Sequence, residues 1–281
     1  MEYNTRPPAV AGTFYPQQTD ALRQMVRSLL QQVAVERPLP RAIVAPHAGY
    51  VYSGYTAAHA YRTLPNDWAA VSNQTASPRR VFLIGPSHRV YLEGVSVGNY
   101  HRFLTPLGTI DVDWELINRM VANEPDVTNH PAPHQLEHSL EVHLPFLQET
   151  IGSGGYRLVP MVFGRMPPQR LAEIIDRYRQ PDDLLIYSSD LSHFLPYEAA
   201  RTKDQQCHQA MLARDPSAMA QCDACGNTGM AALLHLAQQQ RWQVTLADYR
   251  TSGDTAGDKQ RVVGYASYLC YDEPASCSLR G

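Results

Sequence analysis

No run of residues in this sequence is apolar for long enough to cross a bilayer, and no cluster of lysine and arginine marks a surface for a polyanion. The formal net charge is only −3, which argues against nucleic acid as the main partner. Cysteine is scarce: the five residues all lie in the C-terminal part, an odd number that does not read as a disulfide framework. The first residues, MEYNTRPPAVAG, lack the charged and apolar regions of a signal peptide. A reducing cytoplasm is the expected compartment. Linker-like segments, low-complexity tracts and repeats with a period of about 20–50 residues are also lacking. With 281 residues, 44% of them hydrophobic, the chain can bury a core, and a single domain over 1–281 is expected.

What is present is an alternation of strands and helices. TDALRQMVRSLLQQVAV (19–35) places Leu22, Met25, Val26, Leu29, Leu30 and Val33 at helical spacing, with Thr19 or Asp20 as cap. RAIVA (41–45) reads as a short buried strand and SGYTAAHAYRTL (53–64) as a helix capped by Ser53. RVFLIG (80–85) is a strand after a polar loop, NQTASPRR (73–80). EGVSVGNY (93–100) and GTIDVD (108–113) read as strands flanking a loop, HRFLTPL (101–107), and DWELINRMVAN (113–123) as a helix. LEHSLEVHLPFLQETI (136–151) has leucines in helical register, with Pro145 as a kink or restart. Beyond it come a strand (156–164), a helix (168–178), a strand (183–190), two helices (197–213 and 229–240) and two closing strands (243–254 and 260–271). The alternation predicts an α/β fold with a central mixed β-sheet flanked by helices on both faces.

Three of the apolar strands run into a polar cluster with a histidine: IVAPHAGY with His47, FLIGPSH with His88, and LIYSSDLSH with His193. Ligands of open α/β sheets sit beyond the carboxyl ends of the strands, so parallel neighbours would bring these imidazoles together. Pro46 and Pro86 restrict the residue before them, and Gly49 and Gly85 permit tight turns. Ordinary strand-to-helix turns explain the prolines and glycines but not the repeated imidazoles.

Imidazole suits iron, zinc and copper, and two histidines rarely complete a site. A third ligand could be a carboxylate, from Asp190, Glu137 or Glu141, or the thiolate of Cys225 in QCDACGNTGM. Cys225 stands just before a helix start, where amide groups and the helix dipole favour a thiolate. Cys222 and Cys225 also form a C-x-x-C pair; without a second pair it is no zinc knuckle, and a redox role stays open.

EHSLEVHLPF is the densest polar cluster. Its histidines are five apart with Glu137 ahead of His138, so the zincin motif is excluded. On a helix His138 lies near Glu141, and Ser139 near His143. The stretch is then either a solvated face opposite the leucines or a pocket wall supplying hydrogen bonds or a proton relay. Tyr15, Tyr50 and Tyr52 flank the site in sequence, and Tyr50 is a candidate pocket residue. His59, His208 and His235 fall in helical patterns and read as structural. His101, His130 and His134 fall in loops and receive no role.

PAVAGTFYP, APHAGYVYSG, GPSH, EHSLEVHLPF, SSDLSH, ACG and VVGYAS occur here in the order found in the Memo family, also called AmmeMemoRadiSam system protein B. The resemblance runs from about Pro8 to Ala266. It implies a fold similar to the class III extradiol ring-cleavage dioxygenases, non-haem Fe(II) enzymes with two histidines and a glutamate as ligands. The Memo pattern puts a cysteine in place of the glutamate. Carried over, the metal ligands are His47, His88 and Cys225, and His193 matches the dioxygenase acid/base histidine with Asp190 beside it. ACGNTG replaces the commoner prokaryotic ACGRGP, which removes an arginine as an anion contact beside the thiolate. Prokaryotic relatives imply partnership with a radical S-adenosylmethionine protein and an AMMECR-like protein.

The expectation is therefore an Fe(II) site acting on a small molecule, such as an aromatic diol, with His193 moving a hydroxyl proton and Asp190 fixing its tautomer. His138, Glu141, His143 and Tyr50 would form the surrounding pocket. A thiolate ligand also admits zinc or copper. A zinc site could activate water for hydrolysis, and a non-catalytic metal- or peptide-binding protein could reuse the same pocket.

Overall fold

The computed structural model describes residues 4–34, 38–66, 68 and 78–273. In chain order the first strands are β1 (Thr5–Arg6), β2 (Ala42–Ala45), β3 (Arg79–Pro86), β4 (Val95–Ser96), β5 (Arg102–Thr105) and β6 (Gly108–Asp111). They continue as β7 (Val127–Thr128), β8 (Tyr156–Phe163), β9 (Leu184–Ser188), β10 (His193–Leu195), β11 (Trp242–Thr251) and β12 (Val262–Asp272). The helices begin with α1 (Thr19–Gln31), α2 (Tyr50–Tyr61), α3 (Trp114–Asn123), α4 (Ala132–Gln135) and α5 (Leu144–Thr150). After them come α6 (Pro168–Tyr178), α7 (Tyr197–Ala213), α8 (Pro216–Met219), α9 (Asn227–Gln240) and α10 (Ser252–Thr255).

The main sheet runs β10-β12-β2-β9-β3-β8-β4-β7, and β11 also pairs with β12. The central strands β2, β9, β3 and β8 are parallel neighbours. β12 runs antiparallel to β2, and β4 antiparallel to β8, so the sheet is mixed. Every residue of β2 and β9 is buried. Successive side chains of a strand point to opposite faces, so both faces must be covered. α2 lies on β2 and β12, backed by α1 and α5, while α9 lies on β9 and β3, backed by α6. α1 buries Leu22, Val26 and Leu30, a single stripe four residues apart in each step.

Several local expectations are corrected. The loop expected at 101–107 contains β5, which pairs with β6 across a turn at Pro106 and Leu107 and joins β1 in a separate three-stranded sheet. Phe103 is buried there, and the alternation is too short to stand out in the sequence. The helix expected over 136–151 is broken: a turn follows α4, a 3₁₀ turn spans Glu141–His143, and α5 starts at Leu144. Pro145 has no N–H, and its ring would strike the carbonyl of Glu141, so it fits only the first turn of a helix. α2 starts at Tyr50, and the Ser53 hydroxyl donates to Ala48 O instead of capping it. No side chain caps α1, whose N-cap is Gln18. The strand expected to 254 ends at Thr251, where a capping box with Asp254 opens α10. Val35 and residues 73–77 of the expected loop lie outside the described residues. No helix among the described residues is long and apolar enough to cross a membrane.

Candidate metal centre

β2, β9 and β3 end side by side, with Ala45 opposite Ser188 and Ile84 opposite Tyr187. His47 follows β2 by two residues and His88 follows β3 by two, so both imidazoles leave the carboxyl edge of the sheet together. Their ring centroids are 5.0 Å apart. Cys225 comes from the turn before α9, where Gly226 lies against β9: a Cβ on Gly226 would stand 2.5 Å from Ser188 O. One ligand atom each from His47, His88 and Cys225 lies within 4.8 Å of the others, and the Cys225 Sγ is 3.2 Å from His47 Nε2.

The partners of each imidazole fix its tautomer. The Ser188 hydroxyl donates its only proton to Ser139 O at 2.6 Å. It must therefore accept from His47 Nδ1–H, also at 2.6 Å, which leaves Nε2 with its lone pair towards Cys225. His88 Nδ1 lies 2.8 Å from Glu137 Oε1. Burial pushes the Glu137 carboxyl up, but the bonds and charge of His88 and the Ser139 N–H outweigh it and hold the group at about 2. As a carboxylate it can only accept, so His88 also carries its proton on Nδ1 and keeps Nε2 free. Hydrogen bonds of this kind orient metal-binding histidines.

Burial, with His88 and His138 nearby, lowers the His47 pKa well below its ordinary value. Burial raises the Cys225 thiol, and Asp190 adds to this, although the Asp190 N–H donates to Sγ at 3.3 Å. The thiolate expected from the helix start is thus not favoured by the protein alone: removal from water outweighs the amide groups, and a cation is needed to offset it. Two lone pairs and one acidic proton facing each other suit a divalent cation.

These residues lie within a stretch with close relatives. The Memo-like protein family model matches residues 6–269. The chain belongs to the Memo family. Relatives called MEMO1 family protein, from Methanosarcina acetivorans, Sulfurisphaera tokodaii and Aquifex aeolicus, are 34%, 31% and 33% identical. The matches span 94%, 93% and 94% of this chain and 98% of each relative. An uncharacterized Escherichia coli K12 protein of solved structure covers 81% of this chain and 98% of its own at 12% identity. Its TM-score is 0.48, too slight a likeness to bear on function.

The other residues of interest in this Memo-family chain fall into two groups. His138 stays at the site, its ring 4.6 Å from His88 and 5.3 Å from His47, and burial lowers it to about 4. His193 is half-buried on β10, near enough to His88 for the two to interact electrostatically, and burial lowers its pKa. Asp190 does not engage His193. Its Oδ1 accepts the His47 backbone N–H at 2.8 Å, and burial raises it to about 7 against that bond, the charge of His88 and a bond from the Ala48 N–H.

Glu141, His143 and Tyr50 belong to the supporting structure. The Glu141 carboxylate accepts from Arg6 at 2.6 Å, from the Ala9 and Val10 N–H groups, and from the Tyr15 hydroxyl at 2.6 Å. Tyr50 donates to Val142 O, and His143 Nδ1 lies 2.8 Å from the Tyr61 hydroxyl. EHSLEVHLPF is therefore no solvated face: Glu137, Ser139, Glu141 and His143 are buried. Sequence reasoning missed Arg6 and Ser188, which had no motif to announce them. Arg6 donates to Glu141, His134 O and Glu137 O, and so joins the N-terminal segment to the loop that holds His88.

Proposed function

We propose that this protein is a mononuclear metal oxidoreductase, related in fold to the class III extradiol dioxygenases, in which His47, His88 and Cys225 hold iron(II). The observation that carries the reading is the convergence of those three ligand atoms within 4.8 Å, with both imidazoles turned to leave Nε2 free. Two imidazoles and a thiolate suit iron, zinc or copper, and the likeness to the dioxygenases favours iron. Iron bound there would supply an electron path between an anionic substrate and dioxygen.

The chain's own groups account for the rest. His193 takes a hydroxyl proton from the substrate and returns it; its lowered pKa keeps it neutral, and able to accept, at pH 7. Asp190 holds the backbone at His47 and Ala48 in place. Phe14, 4.9 Å from His138, and the exposed Phe194 beside His193 offer apolar surface to an aromatic ring.

The test is to purify the protein without oxygen and compare metal content with that of His47→Ala, His88→Ala and Cys225→Ala. The expected result is near one iron per chain, lost in each variant, and oxygen uptake with members of a diol panel. His193→Gln should keep the iron and lose about 10²–10⁴-fold in uptake. Zinc with hydrolytic turnover and no oxygen uptake would replace the oxidoreductase with a zinc hydrolase. Metal content unchanged in all three ligand variants would overturn the site.

A further inference from the structure

β10 and β12 do not pair residue for residue. His193 stands opposite Val263 and Leu195 opposite Val262, so Phe194 is an extra residue, a bulge in β10. Its φ is +59°, in the left-handed region that favours glycine. A bulky side chain is strained in that conformation, and burial does not offset the strain, because Phe194 is 61% exposed. Neighbouring residues of a regular strand point to opposite faces. Here the His193 and Phe194 rings are 5.8 Å apart with 61° between their planes, so the bulge has turned Phe194 towards the side that His193 occupies.

Arg261, the residue before β12, reaches the same ring: its Cζ lies over Phe194, 5.3 Å from the ring centroid. Among the described residues no carboxylate forms an ion pair with Arg261. Asp258, on the same loop, accepts from the Gln260 N–H. The ring holds the guanidinium by its charge, which leaves the N–H donors open to a further partner. A fork of such donors matches the two oxygens of a carboxylate. Beside His193 the chain therefore presents a largely exposed aromatic ring and, against it, a cation without an anion.

We infer that Phe194 and Arg261 set the specificity of the site, for an aromatic substrate that carries a carboxylate. The substrate ring packs on Phe194 and its carboxylate meets the Arg261 guanidinium. The inference rests on the reading of His193 as the group that takes the hydroxyl proton. Burial fixes the direction in which the substrate lies. His47 is buried and His193 half-buried, whereas Phe194 and Arg261 are exposed. The reactive hydroxyls go inwards and the carboxylate stays at the mouth, where it keeps part of its hydration. Strain at Phe194 holds the ring at the place where the substrate passes.

The experiment titrates the full-length chain, purified and kept without oxygen, in a calorimeter with three probes. They are catechol, a dihydroxybenzoate with adjacent hydroxyls, and dopamine, which carries an ammonium in place of the carboxylate. The acid should bind about 10–100-fold more tightly than catechol, and the amine more weakly than either. Arg261→Gln should leave the acid and catechol equal, and Arg261→Glu should turn the preference to the amine, with metal content unchanged in both. Phe194→Gly suits the left-handed backbone, so it should keep the fold and the metal yet weaken all three probes alike. Equal affinity for acid and catechol, a preference that survives Arg261→Gln, or no binding of any probe overturns the inference. The readout needs no turnover: a charge preference without oxygen uptake would remove the oxidoreductase and leave this contact standing.

Discussion

Replacing Glu137 with glutamine keeps the side-chain length but removes the charge that holds His88 Nδ1–H and accepts the N–H groups of His88, His138 and Ser139. His88 is then free to turn or to change tautomer, and metal affinity should fall about 10–100-fold, as for other partners of metal-binding histidines. Chelator competition measures this; an unchanged affinity would show that Glu137 does not fix the ring. Away from the site, His134 is buried, gives Nε2–H to Ser96 O, and is lowered to about 4, by burial above all. Its folded pKa lies below its ordinary 6.5, so the unfolded chain binds the proton first as pH falls. The contribution of neutral His134 is therefore complete above about pH 6.5 and is lost towards about pH 4. Relative to His134→Gln, the unfolding free energy of the unmodified chain should drop by up to about 1.4 kcal/mol per pH unit in that window. Denaturant titrations at several pH values check it, and parallel curves would refute it. The meeting of His47 and His88 was legible because each follows an apolar strand, and those strands end side by side. Cys225 was one of several candidates by residue type, and the family resemblance singled it out. Ser188 was not legible, because its work depends on His47, 141 positions away, and on Ser139.

At the scale of elements, the segment around β1 is tied to the 3₁₀ turn by one buried ion pair, Arg6 with Glu141. Glu141→Ala leaves the guanidinium buried without its anion and strips the Ala9, Val10 and Tyr15 donors of their acceptor. A loss of about 3–5 kcal/mol is expected from equilibrium denaturation. Two glycines permit close approaches of different kinds, Gly226 against the end of β9 and Gly54 of α2 against α1. Gly226→Ala would drive a methyl against the Ser188 backbone and Ser189, whereas Gly54→Ala meets the movable side chain of Leu29. Metal affinity should fall in Gly226→Ala and hold in Gly54→Ala; equal behaviour would mean that the start of α9 can shift without carrying Cys225 with it. Long elements with a clean period, such as α1, α3 and α6, follow from the sequence nearly to their ends. The stretch 136–151 misleads because its leucines keep helical spacing while Glu137 takes the N–H groups of His138 and Ser139 for itself.

For the molecule as a whole, the mixed sheet was legible from strand and helix alternation, but strand order was not. β12 pairs with β2, near the other end of the sequence, and no local pattern encodes such a partner. Metal at about 100 times its dissociation constant should stabilise the fold by about 2.7 kcal/mol through mass action, and Cys225→Ala should erase that gain in a thermal melt. The distance in sequence between His47 and Cys225, 178 positions, sets an order of events during synthesis. When a ribosome has made the first two hundred residues, both imidazoles exist but the sulfur does not, and β2 still lacks β12 along one edge. Such a nascent chain offers an unpaired strand to its neighbours and an incomplete grip to a cation. For the proposed centre, any loading of metal at all three ligands would thus wait for a chain that has been made past Cys225.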